Sequence, residues 1–116
     1  METVEQRLER LEYYQTLILQ MVDLNKWPFY ALVMKRQIAE KDVQQIFTLS
    51  EELLELYFQQ KEEGLLVFSQ LLEVFERSLP DGLTVLETVD AMHRQQLYTP
   101  LMSEFKLIMS SGVSRR

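Results

Sequence analysis

An all-helical bundle is the fold class this sequence predicts, and three observations predict it. The three prolines and three glycines fall between long stretches rather than within them, where such residues act as punctuation. Those stretches are rich in Leu, Glu, Gln, Met and Lys, all strong helix formers. Their apolar side chains recur at helical spacing, and neither a sustained alternating run nor an Asn-Gly turn signals a strand. The expected architecture is a multihelical bundle of about five to six helices, two of them long and amphipathic.

The first helix is expected to start at Thr3, which has capping-box spacing with Gln6, and to run to about Leu24, with Asn25 as its stop. Val4, Leu8, Leu11, Gln15, Ile18 and Val22 alternate steps of four and three, the seam of a coiled coil about three heptads long. Tyr14, Leu17, Leu19 and Met21 are apolar outside that seam, so the helix calls for several neighbours. Gln15 interrupts the seam: it either fixes the register of an assembly or faces water.

Pro28 suits the first turn of a short second helix over Phe29 to about Gln37. The third is expected from about Lys41 to Glu63. Its wide stripe is Val43, Ile46, Phe47, Leu49, Leu53, Leu56 and Tyr57, extending to Phe58, and Gly64 ends it. A fourth, from Leu65 to Ser78, carries Val67, Phe68, Leu71, Leu72, Val74 and Phe75 and closes at Pro80, Asp81 and Gly82. The fifth starts at Thr84, with capping-box spacing to Glu87, and carries Val85, Leu86, Val89 and Met92 toward Gln95. The sixth takes Thr99 as cap and Pro100 as its first residue, then Leu101, Met102, Phe105, Leu107, Ile108 and Met109.

With 116 residues, 47% hydrophobic and 26% charged, the chain suits one folded domain, expected over residues 1–109 with a flexible tail over 110–116. It has no Cys, which excludes disulfides, thiolate metal sites and cysteine nucleophiles and makes the cytoplasm the simplest compartment. Neither a signal peptide nor a membrane span is expected. The formal net charge of −6 gives little to neutralise phosphates, so a nucleic-acid partner is not expected. Lys35, Arg36 and Lys41 stand near a predicted helical corner, but Glu40, Asp42, Glu51 and Glu52 surround them, which argues against a DNA-reading helix.

Candidate chemistry is sparse. His93 is the single histidine, and Glu87, Asp90 and His93, three apart, share one side of a helix. They resemble half of a di-iron bundle site, which needs a second such pair that is not present, so a solvated face is the competing reading. Glu51, Glu52, Glu55, Glu62 and Glu63 supply carboxylates for acid–base work only if their environments split their pKa values; otherwise they are the wet side of a long helix. With three isolated glycines there is no P-loop, dinucleotide fingerprint or nucleophile elbow, and no cofactor is implied. Trp27, beside Phe29 and Tyr30, reads as a bundle cap or as an exposed anchor for a partner. Met21, Met34, Met92, Met102 and Met109 read as core filler.

Pro28, Phe29, Tyr30, Leu32, Val33, Met34 and Lys35, together with Gln96, Leu97, Tyr98, Pro100, Leu101, Met102 and Phe105, resemble the YhaI-like family of small Bacillus proteins. Glu51, Glu52, Leu53, Gln60 and Lys61 fall in similar places. The resemblance implies an all-helical fold whose subunits intertwine in an oligomer, a trimer rather than a dimer, and it implies no activity or ligand residue.

The broad apolar stripes of two long helices are hard to cover within so short a chain, which independently predicts self-association. The expected subunit contact is Leu8, Leu11, Gln15, Ile18 and Val22. The leading function is therefore a helical homo-oligomeric interaction or scaffolding module. The alternative is a ligand or metal binder, and possible enzyme, with its site between subunits and Glu87, Asp90 and His93 as first candidates. A third is a nucleic-acid regulator using a local basic face.

Overall fold

The computed structural model describes residues 1–111, and they are all helical. Six α-helices follow in order: α1 (Val4–Met21), α2 (Pro28–Lys35), α3 (Glu40–Glu62), α4 (Ser69–Ser78), α5 (Val85–Arg94) and α6 (Thr99–Ser110). A single 3-10 turn, Leu24–Lys26, joins α1 to α2. The flexible tail expected over 110–116 falls mostly outside the described residues; Ser110 itself closes α6.

The core belongs to α2 through α6. α5 packs against α2 and α6, and α3 against α4 and α6. Phe29, Ile46, Phe75, Val89, Met92, Leu101, Met102 and Phe105 are essentially removed from water. In α3 the buried positions Ile46, Ser50, Leu53 and Tyr57 recur at steps of three and four, which is why that helix turns one stripe to the body and its glutamates outward. Phe75 and Phe105 meet at 5.4 Å between ring centres, fastening α4 to α6.

α1 stands apart from this arrangement, with none of its residues buried. The molecule extends 65 Å in its longest direction against 27 and 23 Å in the others. Its radius of gyration is 17.7 Å, where a compact chain of similar length has about 13 Å. Within the helix the local signals act as the sequence implies. Gln6 N–H donates to Thr3 Oγ1 at 3.1 Å and Thr3 N–H donates to Gln6 Oε1 at 2.9 Å, a complete capping box.

Several boundaries differ from expectation, each for a local reason. α1 ends at Met21 because Val22 is extended and Asp23 turns the chain, its carboxylate accepting from Asn25 N–H at 3.0 Å. α4 begins at Ser69, not Leu65. Gly64 takes φ +93°, and Leu65 N–H donates to Gln60 carbonyl, so the chain leaves α3 through a left-handed cap. Leu65, Leu66 and Val67 thereby become an exposed non-helical segment, and Val67, expected in the core, is 76% exposed. α6 starts one residue early: Thr99 is already helical, and Tyr98, at φ 51° and ψ 48°, stands where Thr99 was expected to cap. Val74, Leu86 and Leu107, counted with the apolar stripes of their helices, also face water. Met92 and Met102 are core residues as expected, but Met21 and Met34 are exposed.

Candidate functional site

The most distinctive surface is the uncovered side of α1. Val4, Leu8, Leu11 and Ile18 are each more than half exposed, Gln15 is exposed among them, and Val22 follows just past the helix end. The expected seam residues therefore lie on one side of a projecting helix with nothing from their own chain laid over them. Tyr14, Leu17 and Met21 are exposed beside it, so the apolar surface is wider than a two-helix seam uses. The charges flanking it differ in engagement. Arg10 reaches back to Glu2 at 2.9 Å, whereas among the described residues Arg7 and Glu12 form no ion pair.

The apolar surface continues past α1. Leu24 is exposed and Trp27 is 47% exposed, stacking on Tyr30 with ring centres 5.9 Å apart and planes inclined by 8°. Trp27 is thus not a buried lid on the bundle. Beneath it Phe29 enters the core against Phe47, and Phe47 meets Tyr98. Burial raises the Tyr98 hydroxyl pKa, and the carboxylate of Glu51 and then Tyr30 add to that direction.

The second candidate constellation lies on α5. Glu87, Asp90 and His93 share that helix, yet each is engaged elsewhere. Glu87 completes the second capping box: its Oε2 accepts from Thr84 N–H at 3.0 Å, and Thr84 Oγ1 accepts from Glu87 N–H at 3.3 Å. Arg36 grips the same carboxylate with two N–H groups at 2.7 and 2.8 Å and donates to Gly82 carbonyl at 2.9 Å. The Thr84 backbone N–H lowers the Glu87 pKa; partial burial opposes this, and Arg36 lowers it further. Asp90 accepts from Arg94 at 3.0 Å and from Lys106 at 3.2 Å. Burial pushes Asp90 upward, but those two cations outweigh it and hold its pKa low. His93 Nε2 lies 3.0 Å from Ser103 Oγ.

Among the described residues no three His, Asp or Glu side chains converge in a cluster fit to hold a metal. Asp90 and His93 instead contribute to antiparallel rungs, Asp90 to Lys106 and His93 to Ser103, that tie α5 to α6. An open groove of about 630 Å³ runs beside the first rung, lined by Leu86, Met109, Asp90 and Lys106 among others. The glutamates of α3 are exposed at positions 51, 52, 55, 62 and 63, the wet side of that helix. Arg36, from the predicted basic corner, is committed to Glu87. No helix among the described residues is long and apolar enough to cross a membrane.

Sequence reasoning did not find Arg36, Gln95, Ser103 or Lys106 as structural partners. Only the Thr84 and Glu87 spacing gave a signal, and it pointed to the cap rather than to the arginine.

The model of one protein family, described as a protein of unknown function and designated DUF1878, matches residues 1–110. The chain belongs to the DUF1878 family. The match runs from the start of α1 to the end of α6, so the projecting helix is as much a part of the DUF1878 domain as the body.

Proposed function

We propose that this DUF1878 protein is an interaction module that assembles with copies of itself through α1, serving as a helical scaffold rather than as a catalyst. The observation that carries this reading is the helix with no buried residue and four large seam side chains more than half exposed. An apolar face of this kind is stabilised when another surface covers it. The exposed Leu65–Val67 segment adds a second uncovered apolar region on the body.

The width of the exposed apolar surface favours three chains over two. Covering the exposed part of Val4, Leu8, Leu11 and Ile18 contributes roughly 4 kcal/mol per chain. A pair gains about twice that, against an association cost of about 4–15 kcal/mol. A two-helix seam is therefore marginal, and a third chain, which brings its own association cost, offsets that cost by also covering Tyr14 and Met21 at the flanks of the seam. The resemblance to YhaI-like proteins, carried by the Pro28–Lys35 and Gln96–Phe105 stretches, supports the same trimer.

Light scattering coupled to size exclusion over a concentration range tests this. The wild-type chain runs as an oligomer, and Leu11→Asp runs as a monomer with unchanged helical circular dichroism, because Leu11 touches nothing in the core. A wild-type monomer at all concentrations, or an unaltered oligomer in Leu11→Asp, refutes the reading.

The groove beside the Asp90–Lys106 rung favours a second reading, a small-ligand site completed between subunits. Its apolar walls, with the charged groups of Glu87, Asp90 and Lys106 at the edge, suit an amphiphilic molecule with a charged end. Titration with a fluorescent fatty-acid probe tests it: stoichiometric binding that is lost in Lys106→Ala supports the second reading, and no binding removes it.

A further inference from the structure

We infer that the α1 helices of associating copies run parallel and in register, with Arg7 of one copy paired to the second copy's Glu12. The inference rests on the self-association proposed above and adds its orientation. With Leu8 and Gln15 at the a positions of the seam and Val4, Leu11 and Ile18 at d, Arg7 falls at g and both Glu5 and Glu12 fall at e. Across a parallel seam each g position faces the e position of the next heptad. Arg7 therefore meets the second copy's Glu12, and the symmetry of the assembly repeats the pair at every contact between helices.

The antiparallel alternative with fullest overlap sets Val4 against Val22, Leu8 against Ile18 and Leu11 against Gln15. It brings Glu12 beside the second copy's Glu12 and leaves Arg7 beside Met21. The like charges repel, and a Gln15 amide is pressed against leucine with no polar partner. In the parallel arrangement the Gln15 amides meet each other and hydrogen-bond, the use to which a polar a position is put in fixing register.

Two features of the single chain agree with this. Arg10, which lies off the seam at c, is held by Glu2, while Arg7 and Glu12, which flank it, make no ion pair among the described residues. The exposed apolar surface also continues at Leu24 and Trp27, beyond the C-terminal end of α1. Parallel helices bring these segments of the copies to the same end; antiparallel helices put them at opposite ends.

The absence of cysteine from the chain makes disulfide trapping decisive. Val4 is exposed, so Val4→Cys leaves the fold intact. Mild oxidation of Val4→Cys alone is expected to give a covalent dimer on a denaturing gel, while an equal mixture of Val4→Cys and Val22→Cys gives no mixed dimer. A mixed dimer without the Val4 self-link overturns the parallel orientation and leaves self-association standing. A monomeric mass with no cross-link overturns both, and an oligomeric mass with no cross-link removes α1 from the interface. As a second readout, Arg7→Glu shifts half-assembly to several-fold higher concentration, and Arg7→Glu with Glu12→Arg restores it. An Arg7→Glu variant that assembles like wild type removes the ion pair.

Discussion

The side-chain carbonyl of Gln95 accepts two hydrogen bonds from the first turn of α2, from Phe29 N–H at 2.8 Å and Tyr30 N–H at 3.1 Å. The first N–H groups of a helix have no partner within it, and Trp27, the residue before α2, offers no side-chain cap. Pro28 removes one orphan donor by having no N–H, and Gln95 satisfies the next two from sixty-six residues away. This joint also fixes Phe29 in the core, so the cap and the packing support each other. Gln95→Ala is expected to cost roughly 1–2 kcal/mol, the upper range for a lost cap. Gln95→Glu retains the acceptors and costs less: a carboxylate is favoured at the N-terminus of α2, and its place at the C-terminus of α5 offsets part of that gain. Urea unfolding midpoints measure both, and an unchanged midpoint for Gln95→Ala would remove the joint from the account.

The Arg36 fork on Glu87 makes stability depend on acid. Glu87 has its pKa depressed in the folded chain, first by the Thr84 N–H and also by Arg36. A depressed folded value means the stabilisation is complete above the unfolded carboxylate pKa of about 4.3 and disappears as pH falls through the folded value. Asp90, held low by Lys106 and Arg94 against its burial, acts in the same direction. Wild-type stability is therefore expected to fall between about pH 5 and pH 3, and the fall is smaller in Glu87→Gln and smaller again with Asp90→Asn added. Denaturation midpoints across that range check it; parallel curves for all three proteins would deny these groups the effect.

Helix number and both capping boxes were legible because each is written in neighbouring residues, Thr3 with Gln6 and Thr84 with Glu87, and the spacing of Leu8, Leu11 and Ile18 likewise puts them on one exposed side of α1. The start of α4 was not. Leu65, Leu66 and Val67 continue an apolar pattern that reads as helix, and only the left-handed turn at Gly64 diverts them. Tyr98 was unreadable for a similar reason, since nothing local marks an aromatic residue for a left-handed position. The Arg36–Glu87, Gln95–Phe29 and His93–Ser103 contacts join separate elements, and a single sequence carries no signal for pairs of that kind. The same spacing that suggested a metal site on α5 therefore describes three residues that each turn to separate partners.

The exits from α2, α3 and α5 share one geometry and differ in the residue that bears it. Gln37, Gly64 and Gln96 each take positive φ, and the residue after each donates back into the last turn: Ile38 to Val33, Leu65 to Gln60 and Leu97 to Met92. Glycine occupies this conformation freely, whereas a residue with Cβ bears a strain of roughly 1–2 kcal/mol. Gln37→Gly and Gln96→Gly are each expected to stabilise the chain by about 0.5–1 kcal/mol, part of the relief being offset by the looser unfolded state. Gly64→Ala moves the other way. Thermal unfolding checks the signs, and destabilisation in both glycine variants would mean the glutamine side chains contribute more than the strain costs.

Thr88 Oγ1 and Ser50 Oγ are fully buried and reach no hydrogen-bond partner among the described residues. Thr88 lies on α5 between Glu87 and Val89, on the side of the helix that enters the core, and Ser50 lies in the buried stripe of α3. A buried hydroxyl left unpaired costs about 1–3 kcal/mol of desolvation that no contact returns. Valine has nearly the shape of threonine without the hydroxyl, so Thr88→Val is expected to raise stability by roughly 1 kcal/mol. Ser50→Ala removes the second unpaired group with a small loss of packing, which predicts a change near zero. α3 and α5 are not among the principal packed helix pairs of the body, so the double variant should show about the sum of the single effects. Urea unfolding of the four proteins measures this. A clear loss of stability in Thr88→Val would show that its hydroxyl is bonded in solution, to a neighbouring carbonyl or to an internal water.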